Sequence, residues 1–138
     1  MWTIEVSRKT TAKKESTWKI WSDVPNWNIW DSEVETAELF GQFQIGTKGI
    51  LKPKGGPKAK FRIIEFTKLK SFTIRSFLPF CKIDFIHSIT EKKEGLEITH
   101  KVVMTGFMTF FFSKVIGNKI KVALPIAVER LIELAEKS

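Results

Sequence analysis

The sequence has no tyrosine, one cysteine and two histidines in its 138 residues. A single cysteine excludes an intramolecular disulfide and a metal cluster built on several cysteines, and the apolar neighbours of Cys81 predict an inert buried thiol. The longest apolar stretch, 102–113, is shorter than the roughly 18 residues that a membrane span needs. The N-terminus alternates like a strand and lacks the pattern of a signal peptide, so we expect a cytoplasmic protein.

Positive charge and large apolar rings are abundant instead. The formal net charge of +8 favours anionic partners such as nucleic acid, phospholipid headgroups or acidic ligands, without choosing among them. Twelve phenylalanines and five tryptophans either fill a thick core or line a large cavity. The length and the 43% hydrophobic content predict one globular domain over residues 1–138.

The N-terminal third of the chain predicts one strand and two short helices. Residues 2–7 alternate like a strand, and residues 11–22 have helical spacing with tryptophans three apart. A short helical turn follows at 25–30, with Asp23 as its expected N-cap and Pro25 in its first turn.

The rest of the chain predicts a sheet followed by a long helix. Strand alternation recurs in six segments, at 33–40, 47–52, 59–66, 72–78, 82–90 and 96–105. After Gly106 the apolar residues recur every three or four positions almost to the C-terminus, and Pro125 is expected to kink this helix. The pattern predicts an α+β fold, in which an antiparallel sheet of about seven strands curls around the long C-terminal helix.

Two motifs support this architecture. They are the tryptophan-rich segment 18–31, WxxWSDVPNWxxWD, and the segment 39–49, LxGxFxxGTxG. With the order of elements, they resemble the START-like superfamily, also called SRPBCC or Bet v 1-like, and most closely its polyketide cyclase/dehydrase-like branch. The resemblance covers essentially the whole chain and implies a helix-grip fold with a cavity between the sheet and the long helix. Because the superfamily includes lipid carriers, hormone binders, cyclases and hydrolase activators, it implies no single activity and no catalytic residue.

The two histidines are the most informative polar residues, because each lies on an apolar face of its strand. If residues 92–95 form a hairpin loop, His87 falls directly opposite His100 and both imidazoles project into the cavity. There they orient a ligand oxygen, act as catalytic acid and base, or ligate a metal. No third ligand has suitable spacing, so no metal and no cofactor are predicted. The alternative is that each imidazole bonds a backbone carbonyl or a buried water.

The aromatic residues outside the two histidine-bearing strands have alternative interpretations. Trp27 and Trp30 either cover one cavity wall or pack the short helix on the sheet. The stretch 107–112, which the resemblance places at the mouth of the cavity, either lines the entrance or touches a membrane surface while a lipid passes, or it is ordinary core at the start of the helix. The predicted ligand-binding residues are Trp27, Trp30, Phe85, His87, His100, Val102, Met104 and Phe110.

Basic residues crowd the predicted hairpin around 53–57; they are Lys48, Lys52, Lys54, Lys58, Lys60 and Arg62. The hairpin either is a solvated face or docks transiently on an anionic membrane surface or acidic ligand. The membrane contact would be made by Lys52, Lys54, Lys58 and Lys60. Only Phe61 is interleaved with these charges and no RNA or DNA module accompanies them, so no nucleic acid partner is predicted.

Other catalytic patterns are absent or weak. The segment 41–48 looks like a phosphate-binding loop, but its last two residues are reversed and a strand follows where a helix is required. Asp31, Glu33 and Glu35 offer carboxylates. However, alternation places Glu33 and Glu35 on one solvent-facing side of their strand, which argues against a glycosidase-like acid pair.

Three functions therefore remain open. The leading one is binding or carriage of a hydrophobic small molecule, such as a lipid, polyketide or sterol-like compound, in an apolar cavity of at least a few hundred cubic ångströms. The second is a cyclase/dehydrase-type enzyme in which His87 or His100 moves a proton on a bound ketone. The third is an interaction domain that regulates a partner through the basic hairpin, with salt-sensitive association and no ligand in the cavity.

Overall fold

The computed structural model describes residues 1–138 and has the predicted α+β order of elements. The elements are β1 (Trp2–Thr10), α1 (Lys14–Ser22), a 3₁₀ helix (Val24–Ile29), β2 (Val34–Leu39), β3 (Lys48–Pro53), β4 (Ala59–Thr67), β5 (Ser71–Leu78), β6 (Cys81–Lys92), β7 (Gly95–Thr105) and α2 (Thr109–Glu136). The seven strands form one antiparallel sheet in the order β1-β7-β6-β5-β4-β3-β2. This sheet, curled around α2, confirms the helix-grip fold. None of the helices combines the length and apolar composition that a membrane span requires.

The sheet order places several connections at one end of the molecule, which we call the upper end. Neighbouring antiparallel strands run in opposite directions, so β3, β5 and β7 all end where β4 and β6 begin. The β3–β4 loop, the β5–β6 turn and the β7–α2 connection therefore all lie at the upper end. The start of β2 lies there too, because β2 pairs antiparallel to β3.

Four tryptophans from α1, the 3₁₀ helix and the residue that follows it fill the concave side of the sheet. Trp18, Trp21, Trp27 and Trp30 are all buried. The Trp27 indole N–H donates to the Trp21 carbonyl at 2.9 Å, which fixes the 3₁₀ helix against α1. The Trp18 and Trp21 rings contact the Phe72 ring of β5 edge-on. The tryptophan-rich motif therefore joins the two helices to the inner face of the sheet.

The second motif is explained by close packing at Gly49. A Cβ atom on Gly49 would lie 2.3 Å from Phe61 Cζ and 2.5 Å from the Glu38 carbonyl oxygen. Gly46, with a φ of +86°, allows the turn before β3, and its N–H donates to the Ile63 carbonyl at 2.7 Å. The glycines of the motif thus let β3 pass beneath the Phe61 ring.

Details of the N-terminal helices differ from the sequence expectations. Helix α1 begins at Lys14 rather than residue 11, because Thr10 Oγ1 accepts from the Ala12 N–H and donates to Glu136, which holds this segment in a turn. Asp23 is the N-cap residue of the 3₁₀ helix, as expected, but its carboxylate accepts from the Asn26 side-chain amide at 2.8 Å and bonds no backbone N–H. Pro25 lies in the first turn as expected, and α2 runs unbroken through Pro125.

Candidate functional site

Strands β6 and β7 bring the two histidines together. Lys92 pairs with Gly95, so the connecting turn has two residues rather than the expected four. The register is nevertheless the predicted one, because His87 lies directly opposite His100. Both side chains are buried on the concave face. Their ring centroids are 4.6 Å apart with planes inclined by 76°. The two imidazoles therefore form one contiguous polar spot in an apolar interior.

His87 is held by β5. Its ring stacks on Phe72 with centroids 4.1 Å apart and nearly parallel planes. Its Nδ1 lies 3.3 Å from the Phe72 carbonyl oxygen, and because that oxygen only accepts, Nδ1–H is the donor. Burial lowers the pKa of His87 to about 4, although backbone hydrogen bonds oppose the shift. His87 is therefore neutral at physiological pH, with Nε2 as an acceptor.

His100 has a polar atom for which the protein provides no partner. Its Nε2 is buried without a hydrogen bond, and so are the indole Nε1 atoms of Trp21 and Trp30. Both indole rings lie 5.8 Å from the His100 ring, centroid to centroid. Burial, and secondarily the proximity of His87, lowers the pKa of His100 well below its ordinary value. Since buried polar atoms are almost always hydrogen-bonded, three unpartnered atoms around one ring mark a place for an external polar group.

A cavity of about 100 Å³ adjoins His100 and Trp30, between the sheet and α2; Trp21 lies behind its wall and does not line it. Its lining side chains come from the segment before β2, from the facing strands β6 and β7, and from one side of α2. They include Trp30, Asp31, Glu33, Phe85, His87, His100, Val102, Ile120, Ala123, Leu124 and Ala127. The expected volume of at least a few hundred cubic ångströms is wrong for this conformation. The tryptophan rings of α1 and the 3₁₀ helix fill much of the concave side, which leaves a smaller space.

Two acidic residues, Asp31 and Glu33, are among the residues that border the cavity, whereas Glu35 pairs with Lys52 away from it. The Glu33 backbone N–H donates to Asp31 Oδ1 at 3.0 Å. Burial raises the pKa of Asp31 to about 6, partly offset by this hydrogen bond. Asp31 is thus a carboxyl that titrates near neutrality at the cavity wall.

The predicted ligand-binding residues fall into two groups. Those that line the cavity are Trp30, Phe85, His87, His100 and Val102. The others lie elsewhere: Trp27 stacks on Phe61 and Phe72 in the core, Met104 packs in a separate cluster with Cys81, and Phe110 is exposed on α2.

The cavity wall contributed by α2 was missed from the sequence. It is formed by Ile120, Ala123, Leu124 and Ala127. The helical spacing placed these residues on an inward face, but nothing in the spacing showed that the small side chains of Ala123 and Ala127 leave space opposite the histidines. No group of three or more metal-binding side chains is placed to hold an ion.

The basic hairpin lies on β3, β4 and their loop. Of its six residues, only Lys52 is paired, with Glu35 at 2.7 Å. Lys54, Lys58 and Lys60 are exposed and have no carboxylate within 4.0 Å. Arg62 lies opposite Arg75 on the neighbouring strand. The hairpin is therefore an uncompensated positive surface that reaches the upper end.

Solved structures share this fold at low sequence identity. Half of the di-domain ARO/CYC protein StfQ, from the steffimycin biosynthetic pathway, matches 98% of the chain at a TM-score of 0.77 and 8% identity. Norcoclaurine synthase from Thalictrum matches 99% of the chain, over 94% of its own length, at a TM-score of 0.72 and 12% identity. A hypothetical protein from Helicobacter pylori matches 96% of the chain and 86% of its own length, at a TM-score of 0.77 and 11% identity. At these identities the likeness shows the fold alone.

The sequence itself assigns the family. No curated protein matches the sequence significantly. The sequence model of a family described as "Polyketide cyclase / dehydrase and lipid transport" matches residues 1–135, which is nearly the whole chain. Together with the helix-grip architecture, this match shows that the chain belongs to the polyketide cyclase/dehydrase and lipid transport family.

Proposed function

We propose that this protein binds and carries a hydrophobic small molecule that bears an oxygen function, with the oxygen held beside His100. The observation that carries the proposal is that two residues lining the cavity have buried polar atoms without a partner, His100 at Nε2 and Trp30 at its indole Nε1. An indole N–H only donates, and a neutral imidazole donates from one nitrogen, so a ligand carbonyl or hydroxyl oxygen is the group that completes these bonds.

The rest of the cavity wall supports an apolar ligand body. Phe85, Val102 and the α2 residues Ile120 and Leu124 surround the polar spot with hydrocarbon. Leaving one polar group unpaired in such a site costs free energy, so a ligand that supplies the missing partner is favoured over a pure hydrocarbon.

The volume of the cavity limits what it holds without movement. An apolar cavity of roughly 150 Å³ holds one benzene, whereas this cavity has about 100 Å³. It therefore takes the oxygen-bearing end of a ligand. A lipid, polyketide or sterol-like molecule also requires outward movement of α2 before Pro125, where the missing N–H leaves the Lys121 carbonyl without its helical bond.

A transient contact with an anionic membrane surface fits a carrier of this kind. Lys54, Lys58 and Lys60 are free of ion pairs on the basic hairpin, whereas Lys52 is already paired with Glu35. Basic residues near an anionic bilayer each contribute about 1 kcal/mol to association. The three free lysines are the ones to which we assign this contact.

A second candidate function is proton transfer on a bound carbonyl compound, as in a cyclase or dehydrase. Asp31, with a pKa near 6, and the neutral His87 and His100 line the same cavity, which is a set of groups suited to general acid–base catalysis. Turnover of a bound ketone by the wild type, lost in His100→Gln while ligand affinity is unchanged, would support this function, whereas ligand binding by the wild type without any turnover would support carriage alone.

Carriage is tested with a panel of apolar compounds in which each hydrocarbon is matched to its ketone and alcohol. We expect the oxygenated members to raise the Tm of the wild-type protein. Ala123→Leu fills the cavity and removes this shift, while Val122→Leu, one residue away on the exposed side of α2, keeps it. The unfolding free energy of both variants shows that they are folded. No shift with any compound would contradict the proposal.

A further inference from the structure

The upper end of the molecule carries an unusual concentration of exposed aromatic rings. They lie at the end of β5, in the β5–β6 turn, in the β7–α2 connection and at the start of α2, and we call them the aromatic tip: Phe77, Phe80, Phe107, Phe110 and Phe111. Phe80 and Phe107 are 78% and 80% exposed. A monomeric protein rarely leaves so many contiguous rings in water, and such patches mark protein or membrane interaction sites.

Backbone contacts join the two connections into one surface. The Met108 N–H donates to the Phe80 carbonyl at 2.9 Å. A Cβ atom on Gly106 would lie 2.7 Å from the same carbonyl oxygen, so the two connections touch directly. Phe77, Phe80 and Phe107 line one open groove of about 390 Å³. The rings are therefore displayed together from a fixed base.

The ring of Phe80 is displayed by the two-residue turn between β5 and β6. Leu78 pairs with Cys81, so Pro79 and Phe80 are the residues of the turn, and Phe80 has a φ of +55°. Glycine or asparagine fits such a left-handed turn position better than a bulky side chain does, and the Phe80 ring gains no burial in return, being 78% exposed. Neither the turn nor the core therefore requires a large apolar ring at this position.

Charge around the aromatic tip identifies its partner. Lys82 is the cross-strand neighbour of Phe77, and Lys114 follows one turn after Phe110 on α2. Residues 98–128 contain four lysines and no aspartate or glutamate. A second copy of the chain would bring like charges against one another in a two-fold contact. An anionic bilayer instead accepts the rings among its acyl chains and the lysines at its headgroups.

We infer that the aromatic tip inserts into the surface of an anionic lipid bilayer, with Lys82 and Lys114 on the headgroups. The inference deepens the proposed function, because it gives the carrier a defined face through which an apolar ligand passes between a membrane and the cavity. It also orients the basic hairpin, whose loop lies at the same end of the sheet as the aromatic tip.

Flotation with vesicles of phosphatidylcholine and of phosphatidylcholine with phosphatidylserine tests the inference on protein freed of any ligand. We expect binding to the anionic vesicles and at least about a tenfold loss of partitioning in Phe80→Ser/Phe107→Ser. Phe40→Ser is the matched control, because Phe40 is 54% exposed but follows β2 at the opposite end of the sheet. Likewise, Lys82→Glu/Lys114→Glu should weaken binding, whereas Lys13→Glu, in the connection between β1 and α1, should not.

Three results would overturn the inference. They are no vesicle binding by the wild type, equal binding by the Phe80→Ser/Phe107→Ser variant, and a wild-type dimer in sedimentation that this variant dissociates. The last would assign the tip to a second copy of the chain. Because the vesicle measurement uses ligand-free protein, its failure leaves the cavity proposal standing, and the compound panel tests that proposal separately.

Discussion

His87 and His100 face each other across β6 and β7 with ring centroids 4.6 Å apart, and neither ring has a charged partner within salt-bridge distance. Burial lowers the pKa of both rings, so the pair is neutral and its charged form is excluded from the fold. A polar but uncharged pair in the core is suited to hydrogen-bonding a neutral ligand oxygen. It also makes the stability of the protein sensitive to acid.

The histidine pair predicts a loss of stability below pH 6.5. Each histidine takes up a proton near pH 6.5 when unfolded, but His87 does so only near pH 4 when folded. The unfolded state therefore binds more protons in this window, and the unfolding free energy falls by about 1.4 kcal/mol per pH unit for each such histidine. Urea unfolding between pH 7.5 and 4.5 measures the slope. His87→Gln and His100→Gln should each reduce it, and an unchanged slope in both would contradict the burial effect.

Asp31 predicts the opposite pH dependence. Its pKa is about 6 in the folded protein, above the ordinary 3.8, so the folded state binds the extra proton. As the pH rises through 6, the buried Asp31 carboxyl ionises in the folded protein, and this lowers the unfolding free energy. Asp31→Asn cannot ionise, and its side-chain amide keeps an oxygen that accepts from the Glu33 N–H. We expect Asp31→Asn to be more stable than wild type at pH 7.5 by roughly 1 to 3 kcal/mol, with the difference vanishing near pH 4. Glu94→Gln, in the exposed β6–β7 turn, is the control. A negative or pH-independent difference would contradict this assignment.

Gly49 predicts a steric coupling with Phe61. Gly49→Ala places a Cβ atom 2.3 Å from Phe61 Cζ, so we expect a loss of roughly 1 to 3 kcal/mol of unfolding free energy. Phe61→Leu removes the ring atoms that clash, at the cost of lost packing, and leaves only the close approach to the Glu38 carbonyl oxygen. The double variant should therefore be more stable than the sum of the two single losses predicts, as a double-mutant cycle by chemical unfolding shows. Simple additivity would mean that the backbone relieves the contact.

We expect His100 to be the residue that makes the protein prefer a ketone over the matched hydrocarbon. His100→Leu replaces the unpartnered Nε2 by hydrocarbon of similar size, so the variant should fold with equal or greater stability. The wild type should prefer each ketone of the compound panel over its matched hydrocarbon by about tenfold or more, and His100→Leu should lose this preference. Binding constants from calorimetry measure the ratio. A preference that survives in the variant would place the ligand oxygen elsewhere.

At Phe80 we expect one substitution to change thermal stability and vesicle binding in opposite directions. Phe80→Asn suits the left-handed φ of +55° better than phenylalanine does and removes no buried contact. Its Tm should equal or exceed that of the wild type, while its partitioning to anionic vesicles falls. A clear drop in Tm would show that the ring stabilises the fold, and the strain would then need another explanation.

The architecture and the histidine register followed from the sequence because they depend on periodicity. Alternation placed His87 and His100 on inner faces, and the register was right even though the turn has two residues instead of four. A hairpin loop that is shortened by one residue on each side keeps the same cross-strand pairs. Local pattern was therefore sufficient for this part of the site.

The inner surface of the cavity depends on three-dimensional details that the pattern does not contain. The register shift between Val34 and Thr36 breaks the alternation on which the predicted faces of this strand depended. The cavity volume depends on how the tryptophan rings pack, and the sequence gives their number but not their positions. The left-handed φ of Phe80 likewise belongs to the two-residue turn between β5 and β6, and strand alternation does not specify the φ of a turn residue.

The proposed function requires that the cavity beside His100 holds a small apolar molecule with an oxygen function. Native mass spectrometry of the protein as purified tests it most directly, followed by organic extraction and identification of whatever is released on denaturation. We expect the wild-type protein to carry a stoichiometric adduct with a carbonyl or hydroxyl group, and we expect Ala123→Leu to carry none. A protein that carries no adduct and takes up no member of the compound panel would contradict it.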